Sequence, residues 1–341
     1  MLSAVDLMFL MKELKEIEGS KLDKAYSSDN EIMLQLHSSA KGKMYLKILP
    51  GEAIFITKSK EASEKPSNFA MALRKNLTNE RVEEIRQIGN ERIIEIKFRN
   101  FKLIAELFSK GNVILVDNEG KIANCLQKQQ WNERTVEIGE IYKFPPAKHN
   151  VFAMEFNEFR EIADKSEKES IVKILAVDFG LGGKYAEEAC FTAEVNKNKR
   201  KTDLKKVYDA VQSIRHLRIK PAIAKLEEPV FLPVILQTFE DAEKEEFKTM
   251  SQAIEEYIEL TKEKTEDHGK EKLLKMAELQ KQKIEDLERV SKDFKEIGDK
   301  IYENYAVIDE IIKKMKETKY NYKHDIVNEV NKAEKKVVIE L

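Results

Sequence analysis

Residues 1–147 alternate between helical and strand-like spacing of their apolar positions. Ser3 and Asp6 fit a capping box, and the apolar residues that follow recur at helical spacing as far as Gly19. Alternating apolar residues then predict strands at 32–36, 46–48, 53–57, 92–98, 101–108 and 113–116, with a second helix between 65 and 85. The consecutive prolines Pro145–Pro146 end this pattern. We therefore predict a mixed α/β domain over this region.

Residues 148–235 contain several short helical patterns, which predict an all-α domain. Its most informative segment, Phe179–Tyr185, holds three glycines in four positions between two helical patterns. Glycines let the backbone approach a ligand closely, and the N-terminus of a helix attracts phosphate. A P-loop is excluded because Lys184 is followed by Tyr185 rather than by Ser or Thr. We predict a helix-hairpin-helix that contacts a nucleic-acid backbone; a helix C-cap followed by a linker is the alternative.

Residues 236–341 are predicted to form a coiled-coil arm. Between Thr261 and Lys319, ten of thirteen seam positions are apolar, while the other faces are mostly Lys and Glu. The seam runs through Leu273, Met276, Gln280, Lys283, Leu287, Val290, Phe294, Ile297, Ile301, Asn304, Ile308, Ile311 and Met315. A lone helix cannot bury this seam, so we expect a partner helix from a longer chain or from a second copy, which would form a homodimer. The strand-like residues Lys335–Glu340 lead us to expect that the chain continues.

The basic residues are concentrated in one segment of a nearly neutral chain. The 341 residues include 60 Lys and Arg against 62 Asp and Glu, a formal net charge of −2. Between Lys197 and Lys225, ten basic residues are joined by only two acids, Asp203 and Asp209, which gives a local charge of +8. A polyanion would dock at such a run, although a solvated helix face would also show it. We predict contacts with RNA phosphates at Gly180, Gly182, Gly183, Lys184, Lys197, Lys199, Arg200, Lys201, Lys205, Lys206, Arg215 and Arg218.

The chain lacks the residue patterns of several other functional classes. Its two Cys provide neither a disulfide framework nor a Cys-based zinc site, and its five His show no metal-ligand spacing. No Ser, Cys or His arrangement indicates a nucleophile relay. No apolar run reaches the ~18–20 residues that cross a membrane, and the N-terminus lacks the features of a signal peptide. We predict a cytoplasmic protein that holds no metal or cofactor and is not an enzyme.

Four motifs together resemble one protein family. They are Pro66–Lys75, Gly89–Ile94, Glu106–Leu115 and Gly180–Glu188, and the coiled-coil pattern follows them. In this order they resemble the NFACT family, which includes RqcH, NEMF and FbpA-like proteins. The resemblance covers essentially the whole chain, which corresponds to the N-terminal and middle part of a family member. We expect an archaeal source.

The resemblance implies three domains: an NFACT-N domain over 1–147, similar to formamidopyrimidine glycosylases, a helix-hairpin-helix domain over 148–235 and a coiled-coil arm over 236–341. It implies binding to the large ribosomal subunit carrying a stalled peptidyl-tRNA, and recruitment of tRNA, expected to be tRNA-Ala, for template-free C-terminal tailing. The ribosome makes the peptide bonds, and the arm is expected to contact the ribosomal stalk base.

The resemblance also implies that Asp6, Glu91 and Arg92 engage tRNA. Glu91 departs from the family's Asp by one methylene but keeps its charge, and Arg92 matches. Two alternatives stay open: Asp6 caps its own helix, and Glu91 with Arg92 forms a strand-end ion pair. For the whole chain, the alternative is an inactive relative of DNA glycosylases that binds nucleic acid generally, because Leu2–Ser3 stands where those enzymes carry Pro-Glu.

Overall fold

The computed structural model describes residues 1–28, 31–59, 66–131, 134–146 and 149–340. They form two compact units, Met1–Lys262 and Glu263–Leu341. The predicted mixed α/β class with helices toward the C-terminus is confirmed. Within the described ranges, no helix combines the length and the apolar run that a membrane crossing needs.

The chain begins with helix α1 and an antiparallel sheet. The capping box predicted at Ser3 and Asp6 is confirmed at the start of α1. The sheet has the strand order β1-β2-β3-β4, and helix α2 packs on β1, where the Arg74 Nε donates to the Ala25 carbonyl at 2.8 Å. The elements are α1 Ala4–Leu14, β1 Lys21–Ser28, β2 Glu31–Ser38, β3 Gly42–Leu49, β4 Ala53–Thr57 and α2 Asn68–Leu77.

A second antiparallel sheet follows, with its strands in chain order. Its inner face shares one large apolar core with the first sheet and α1. Its strands are β5 Glu84–Gln87, β6 Ile93–Lys97, β7 Phe101–Glu106, β8 Asn112–Asp117 and β9 Ile122–Cys125, followed by a short ribbon of β10 Gln129–Gln130 and β11 Thr135–Val136.

The outer face of the second sheet carries a buried carboxylate. Glu106 accepts a hydrogen bond from the Tyr142 hydroxyl at 2.8 Å and forms an ion pair with Arg134. Burial raises the pKa of Glu106, and the positive charge of Arg134 opposes this shift. The Arg134 guanidinium also lies 5.0 Å from the ring centroid of Trp131, whose exposed fraction is 45%. The lone tryptophan therefore lies at the surface beside this cluster.

The two sheets meet where the turn that contains Gly51 crosses the turn that contains Gly111. The Gly51 amide donates to the Glu106 carbonyl at 3.1 Å, and Gly111 lies against the Pro50 and Gly51 backbone. A Cβ at Gly111 would overlap that backbone, which cannot move aside as a flexible side chain could. Gly111 also has a φ of 65°, where L side chains are strained. The close approach explains a glycine in this turn.

Gly111→Ala is expected to destabilise the protein by about 1–3 kcal/mol more than Gly120→Ala, because only the first adds overlap to backbone strain. Gly120 is the matched control: its φ is 83°, and nothing lies within 4 Å of the Cβ position. Urea unfolding of both variants measures the difference. Equal losses would show that the crossing of the two turns is not a tight contact.

The predicted all-α domain is wrong at its C-terminal end. Its helices are α3 Phe156–Lys165, α4 Ile171–Lys173 with a π-helical turn Ile174–Asp178, α5 Gly183–Thr192 and α6 Leu204–Ile214. Three strands follow, β12 Ile219–Ala224, β13 Val230–Val234 and β14 Lys244–Glu246, in the order β13-β12-β14. Pro221 and Pro233 made the first two strands hard to predict from the sequence, because proline cannot donate a hydrogen bond to a neighbouring strand. A register irregularity between Ile219 and Ala222 accommodates Pro221.

The predicted arm is helical over most of its length, but not from residue 236. The first residues of this region form a 3₁₀ turn, Gln237–Phe239, and strand β14. The long helix α7 spans Met250–Glu303, and the helix breaks at the seam residue Asn304 before α8, Tyr305–Glu317. A hairpin of β15 Val327–Asn331 and β16 Lys336–Ile339 follows, which confirms the strand predicted at the end of the chain.

The N-terminus of α7 is anchored on α1. Both carboxylate oxygens of Glu13 accept backbone hydrogen bonds, from the Met250 amide at 2.9 Å and the Ser251 amide at 3.1 Å. These amides belong to the first turn of the helix, where donors have no partner within the helix. Ile254 and Ile258 of the same helix are also buried. The start of α7 is therefore capped by a side chain from the other end of this unit's sequence.

Candidate nucleic-acid interface

A cleft brings Glu91 and Arg92, which are predicted to bind tRNA, together with the glycine-rich segment Phe179–Tyr185, the glycine turn. It has a volume of about 280 Å³ and is lined by Met1–Ala4, Asn90–Arg92, Ala176, Gly180 and Gly182. The lining therefore comes from the N-terminus of α1, the turn between β5 and β6, and the segment before α5. These segments lie far apart in the sequence, and the fold places them around one opening.

Gln87 fastens two of these segments to each other. Its side-chain amide donates to the Ala4 carbonyl at 2.8 Å and to the Glu91 carbonyl at 2.9 Å. One side chain thus bridges the first turn of α1 and the turn that carries Glu91 and Arg92. The motif Gly89–Ile94 includes this turn, but no sequence pattern indicated the role of Gln87.

Arg92 lies half-buried at the cleft, and its guanidinium contacts the Met1 sulfur. Burial lowers the pKa of Arg92, while the negative charge of Glu91 opposes this shift. Arginine nevertheless remains protonated at neutral pH, so the cleft holds a permanent cation beside a carboxylate. A planar guanidinium can bind a phosphate or the edge of a guanine through two parallel hydrogen bonds.

The glycine turn packs directly against the start of α1. Gly180 and Gly182 have φ values of 68° and 77°, which L side chains rarely adopt, and a Cβ at Gly182 would lie 3.8 Å from the Ser3 Cβ. The amides of Leu181 and Gly182 donate to the Leu175 and Ala176 carbonyls at 3.2 Å. These two amides already have acceptors in the preceding π-helical turn, Ile174–Asp178. Gly183, the first residue of α5, is exposed.

Asp6 is buried below the cleft, with an exposed fraction of 3%. Its Oδ1 accepts from the Tyr185 hydroxyl at 2.8 Å and pairs with the Lys184 Nζ at 2.7 Å. Its Oδ2 accepts from the Ser3 amide at 2.8 Å and the Ser3 hydroxyl at 2.7 Å. We call Ser3, Asp6, Lys184 and Tyr185 the Asp6 cluster. The structure thus contains the helix-capping arrangement that the sequence left open as an alternative.

Lys184 faces the interior rather than the solvent. Its side chain is 16% exposed, and its ammonium donates to the Phe231 carbonyl at 2.6 Å as well as pairing with Asp6. Tyr185 is fully buried, and burial followed by the charge of Asp6 raises the pKa of its phenol well above the ordinary value. Sequence reasoning missed Tyr185, because a tyrosine after a glycine turn carries no visible sign of a buried carboxylate partner.

The basic segment is partly neutralised by acids, most of which lie outside it in the sequence. Lys197 pairs with Glu187 at 2.8 Å, Lys205 with Asp209 at 2.9 Å, Lys220 with Glu246, and Lys225 with Glu243 at 3.2 Å. The Glu187 hydrogen bond and charge raise the pKa of Lys197.

Two of the remaining cations donate to backbone carbonyls. Arg200 bonds the Asp164 carbonyl at 3.0 Å and Arg215 the Phe152 carbonyl at 2.8 Å. Four others are exposed and, within the described ranges, have no acidic partner: Lys199, Lys201, Lys206 and Arg218. The local charge of +8 therefore overstates the free positive charge of this surface.

A family described as NFACT N-terminal and middle domains matches residues 3–341. This chain belongs to the NFACT family. The resemblance carried by the four motifs is confirmed. No comparison assigns a role to a residue of the cleft or of the basic segment, so those assignments stay predictions.

Several curated proteins are similar to this NFACT chain. The archaeal Rqc2 homolog aRqcH of Methanocaldococcus jannaschii is 29% identical over 347 residues, which cover 92% of this chain and 52% of that protein. The ribosome quality control complex subunit 2 of Saccharomyces cerevisiae is 33% identical over 149 residues, covering 42% of this chain and 14% of that protein. The chain thus spans about half the length, or less, of these relatives.

Two solved structures share the fold of this chain. The N-terminal part of the fibronectin/fibrinogen-binding protein of Streptococcus suis has a TM-score of 0.62 and 22% identity, covering 76% of this chain and 99% of that one. The fibrinogen binding protein of Staphylococcus aureus also has a TM-score of 0.62, with 20% identity, covering 74% of this chain and 97% of that one. At these identities the likeness concerns the fold alone.

Proposed function

We propose that this NFACT chain acts in ribosome quality control, binding the large ribosomal subunit that carries a stalled peptidyl-tRNA. It recruits tRNA, expected to be tRNA-Ala, for template-free addition of C-terminal residues. The family and the names of its relatives support the setting. The observation that carries the tRNA role is the convergence of Glu91, Arg92 and the glycine turn on one cleft.

The cleft is suited to bind rather than to catalyse. Arg92 offers a donor fork for phosphate or guanine, and the Glu91 carboxylate can orient that fork or accept from exocyclic amines. Phosphate contacts add affinity that is independent of base sequence, and the exposed cations of the basic segment can supply them. Peptide bonds are made by the ribosome, and this chain positions the tRNA.

Arg92→Ala is expected to lower tRNA affinity at least tenfold without lowering the melting temperature, because a charged hydrogen-bond fork is lost from a half-buried site. Native gels with labelled tRNA and cosedimentation with large ribosomal subunits measure the change. Arg99→Ala is the control, since Arg99 is exposed beyond the far end of β6. In the longer protein, Arg92→Ala is expected to abolish tail synthesis.

Two results would contradict this assignment. Unchanged tRNA affinity of Arg92→Ala would remove Arg92 from the interface. Equal wild-type affinity for tRNA and for duplex DNA of similar length would contradict tRNA recruitment and support the general nucleic-acid-binding module considered above.

The three exposed lysines Lys199, Lys201 and Lys206 are expected to contact RNA phosphates. Replacing all three by Ala should reduce the slope of log K against log[salt] by about 2–3, because each lost phosphate contact removes ~0.7–0.9. The control is Lys220→Ala with Lys225→Ala, whose ammonium groups are paired with Glu246 and Glu243. Fluorescence anisotropy with labelled tRNA gives the slopes. Equal slopes for the two variants would exclude this surface from binding.

We also propose that the arm contacts the ribosomal stalk base and that its apolar seam takes a partner helix. Within the described part of the seam, Leu287, Phe294 and Ile297 are all more than half exposed, Phe294 by 69%. Exposed apolar rows of this kind are buried by helix pairing in coiled coils.

This chain by itself is therefore expected to dimerise through α7. Light scattering at increasing concentration should show a dimer for the wild type and a monomer for Phe294→Glu with Ile297→Glu, because buried charges would oppose pairing. The control is Lys292→Glu with Lys295→Glu on polar positions of the same helix. A wild type that stays monomeric at high concentration would contradict pairing between two copies.

A further inference from the structure

The Asp6 cluster joins two helices that lie far apart in the sequence. Asp6 lies in the first turn of α1, whereas Lys184 and Tyr185 lie in the first turn of α5. The Asp6 carboxylate accepts from both and from Ser3, so each of its oxygens has two partners. Such a buried carboxylate is stable only while these donors surround it.

Lys184 extends the same junction to a third element. Its ammonium pairs with Asp6 and donates to the Phe231 carbonyl of β13, and it lies 5.4 Å from the Phe231 ring centroid. An ammonium held by a carboxylate, a carbonyl and aromatic rings is fixed in direction. The cluster therefore fixes α1, α5 and β13 to each other through one charge pair.

The cleft is built directly on this junction. Ser3 belongs both to the cluster and to the cleft lining, and Gly182 precedes α5 by one residue. Glu91 and Arg92 are held to the first turn of α1 through Gln87. The distance between Arg92 and the glycine turn thus depends on the relative position of α1 and α5. The buried charge pair of Asp6 and Lys184 holds that position.

We propose that Lys184 and Tyr185 are positioning residues for tRNA binding and that Asp6 acts through them, without touching RNA. This inference rests on the proposed tRNA role of the cleft. The burial of Asp6 and the engagement of both of its oxygens carry it. A direct contact would require Asp6 to give up these donors and to place its negative charge beside a polyanion.

Tyr185→Phe is the principal test, because it removes only the hydroxyl that donates to Asp6 and keeps the buried ring. We expect tRNA affinity to fall about five- to tenfold, the effect of one buried charge-assisted hydrogen bond, with an unchanged salt slope because no phosphate contact is lost. Tyr208→Phe is the matched control: its hydroxyl donates to the Met154 carbonyl at 3.0 Å, away from the cleft. Both are measured well below the melting temperature. Equal affinities for the two variants would overturn the proposal.

A double variant separates positioning from direct contact. Lys184→Met leaves the Asp6 charge buried without its cation, so affinity should fall more than tenfold; adding Asp6→Asn removes that charge and should restore most of the loss. Lys173→Met, at an exposed position paired with Glu169, is the control. A Lys184→Met variant whose salt slope falls by about 0.7–0.9, with no recovery on adding Asp6→Asn, would show that Lys184 binds phosphate and would overturn the proposal.

A measurement without tRNA keeps this test distinct from that of the proposed function. Spin labels at Arg99→Cys and Lys165→Cys report the separation of the second sheet and the helical region. The native Cys125 and Cys190 are buried, and burial raises the pKa of the Cys190 thiol to about 11, so labelling favours the introduced sites.

Tyr185→Phe should broaden the distance distribution between the labels, whereas Tyr208→Phe should not. An unchanged distribution in Tyr185→Phe would overturn the positioning role, even if affinity falls. If wild-type protein binds no tRNA, the proposed function fails on that result alone; the positioning of the cleft walls by the cluster is still decided by the distances.

Discussion

The architecture of the first unit depends on the buried negative charge of Asp6. An unpaired carboxylate in the interior costs several kcal/mol, so Asp6 requires the donors that α5 supplies some 180 residues later in the sequence. The same helix α1 ends near Glu13, whose carboxylate caps the first turn of α7. A helix of eleven residues thereby fixes the glycine turn with one acid and the start of α7 with another.

The proposed interface depends as much on which charges are neutralised as on which are present. The segment from Lys197 to Lys225 reads as strongly basic along the chain, yet folding brings Glu187, Glu243 and Glu246 to three of its lysines. The positive charges without an acidic partner in the described ranges form a smaller group. Lys199 and Lys201 lie on the loop before α6, Lys206 lies in the first turn of α6, and Arg218 follows the helix. Lys184, next to the glycine turn, has its charge directed inward. The cation at the cleft is instead Arg92, which lies outside every run of basic residues in the sequence.

Local patterns predicted the local structure well. The capping box at Ser3 and the strand at Ala53–Thr57 appear as expected, because both depend on neighbouring residues alone. Strands β12 and β13 were missed because prolines interrupt their pattern, and only the register irregularity of the folded sheet accommodates one of them. The sequence predicted the motifs that line the cleft, but it did not predict that they meet in one place. That Asp6 is bonded to Tyr185 depends on a tertiary contact, which no spacing rule encodes.

The most direct test of this account is a structure of the chain bound to tRNA. We expect RNA within hydrogen-bonding distance of the Arg92 guanidinium and the glycine turn, with the Asp6 carboxylate still enclosed by Ser3, Lys184 and Tyr185. A complex in which tRNA occupies another surface, or in which Asp6 leaves these partners to contact the RNA, would contradict it.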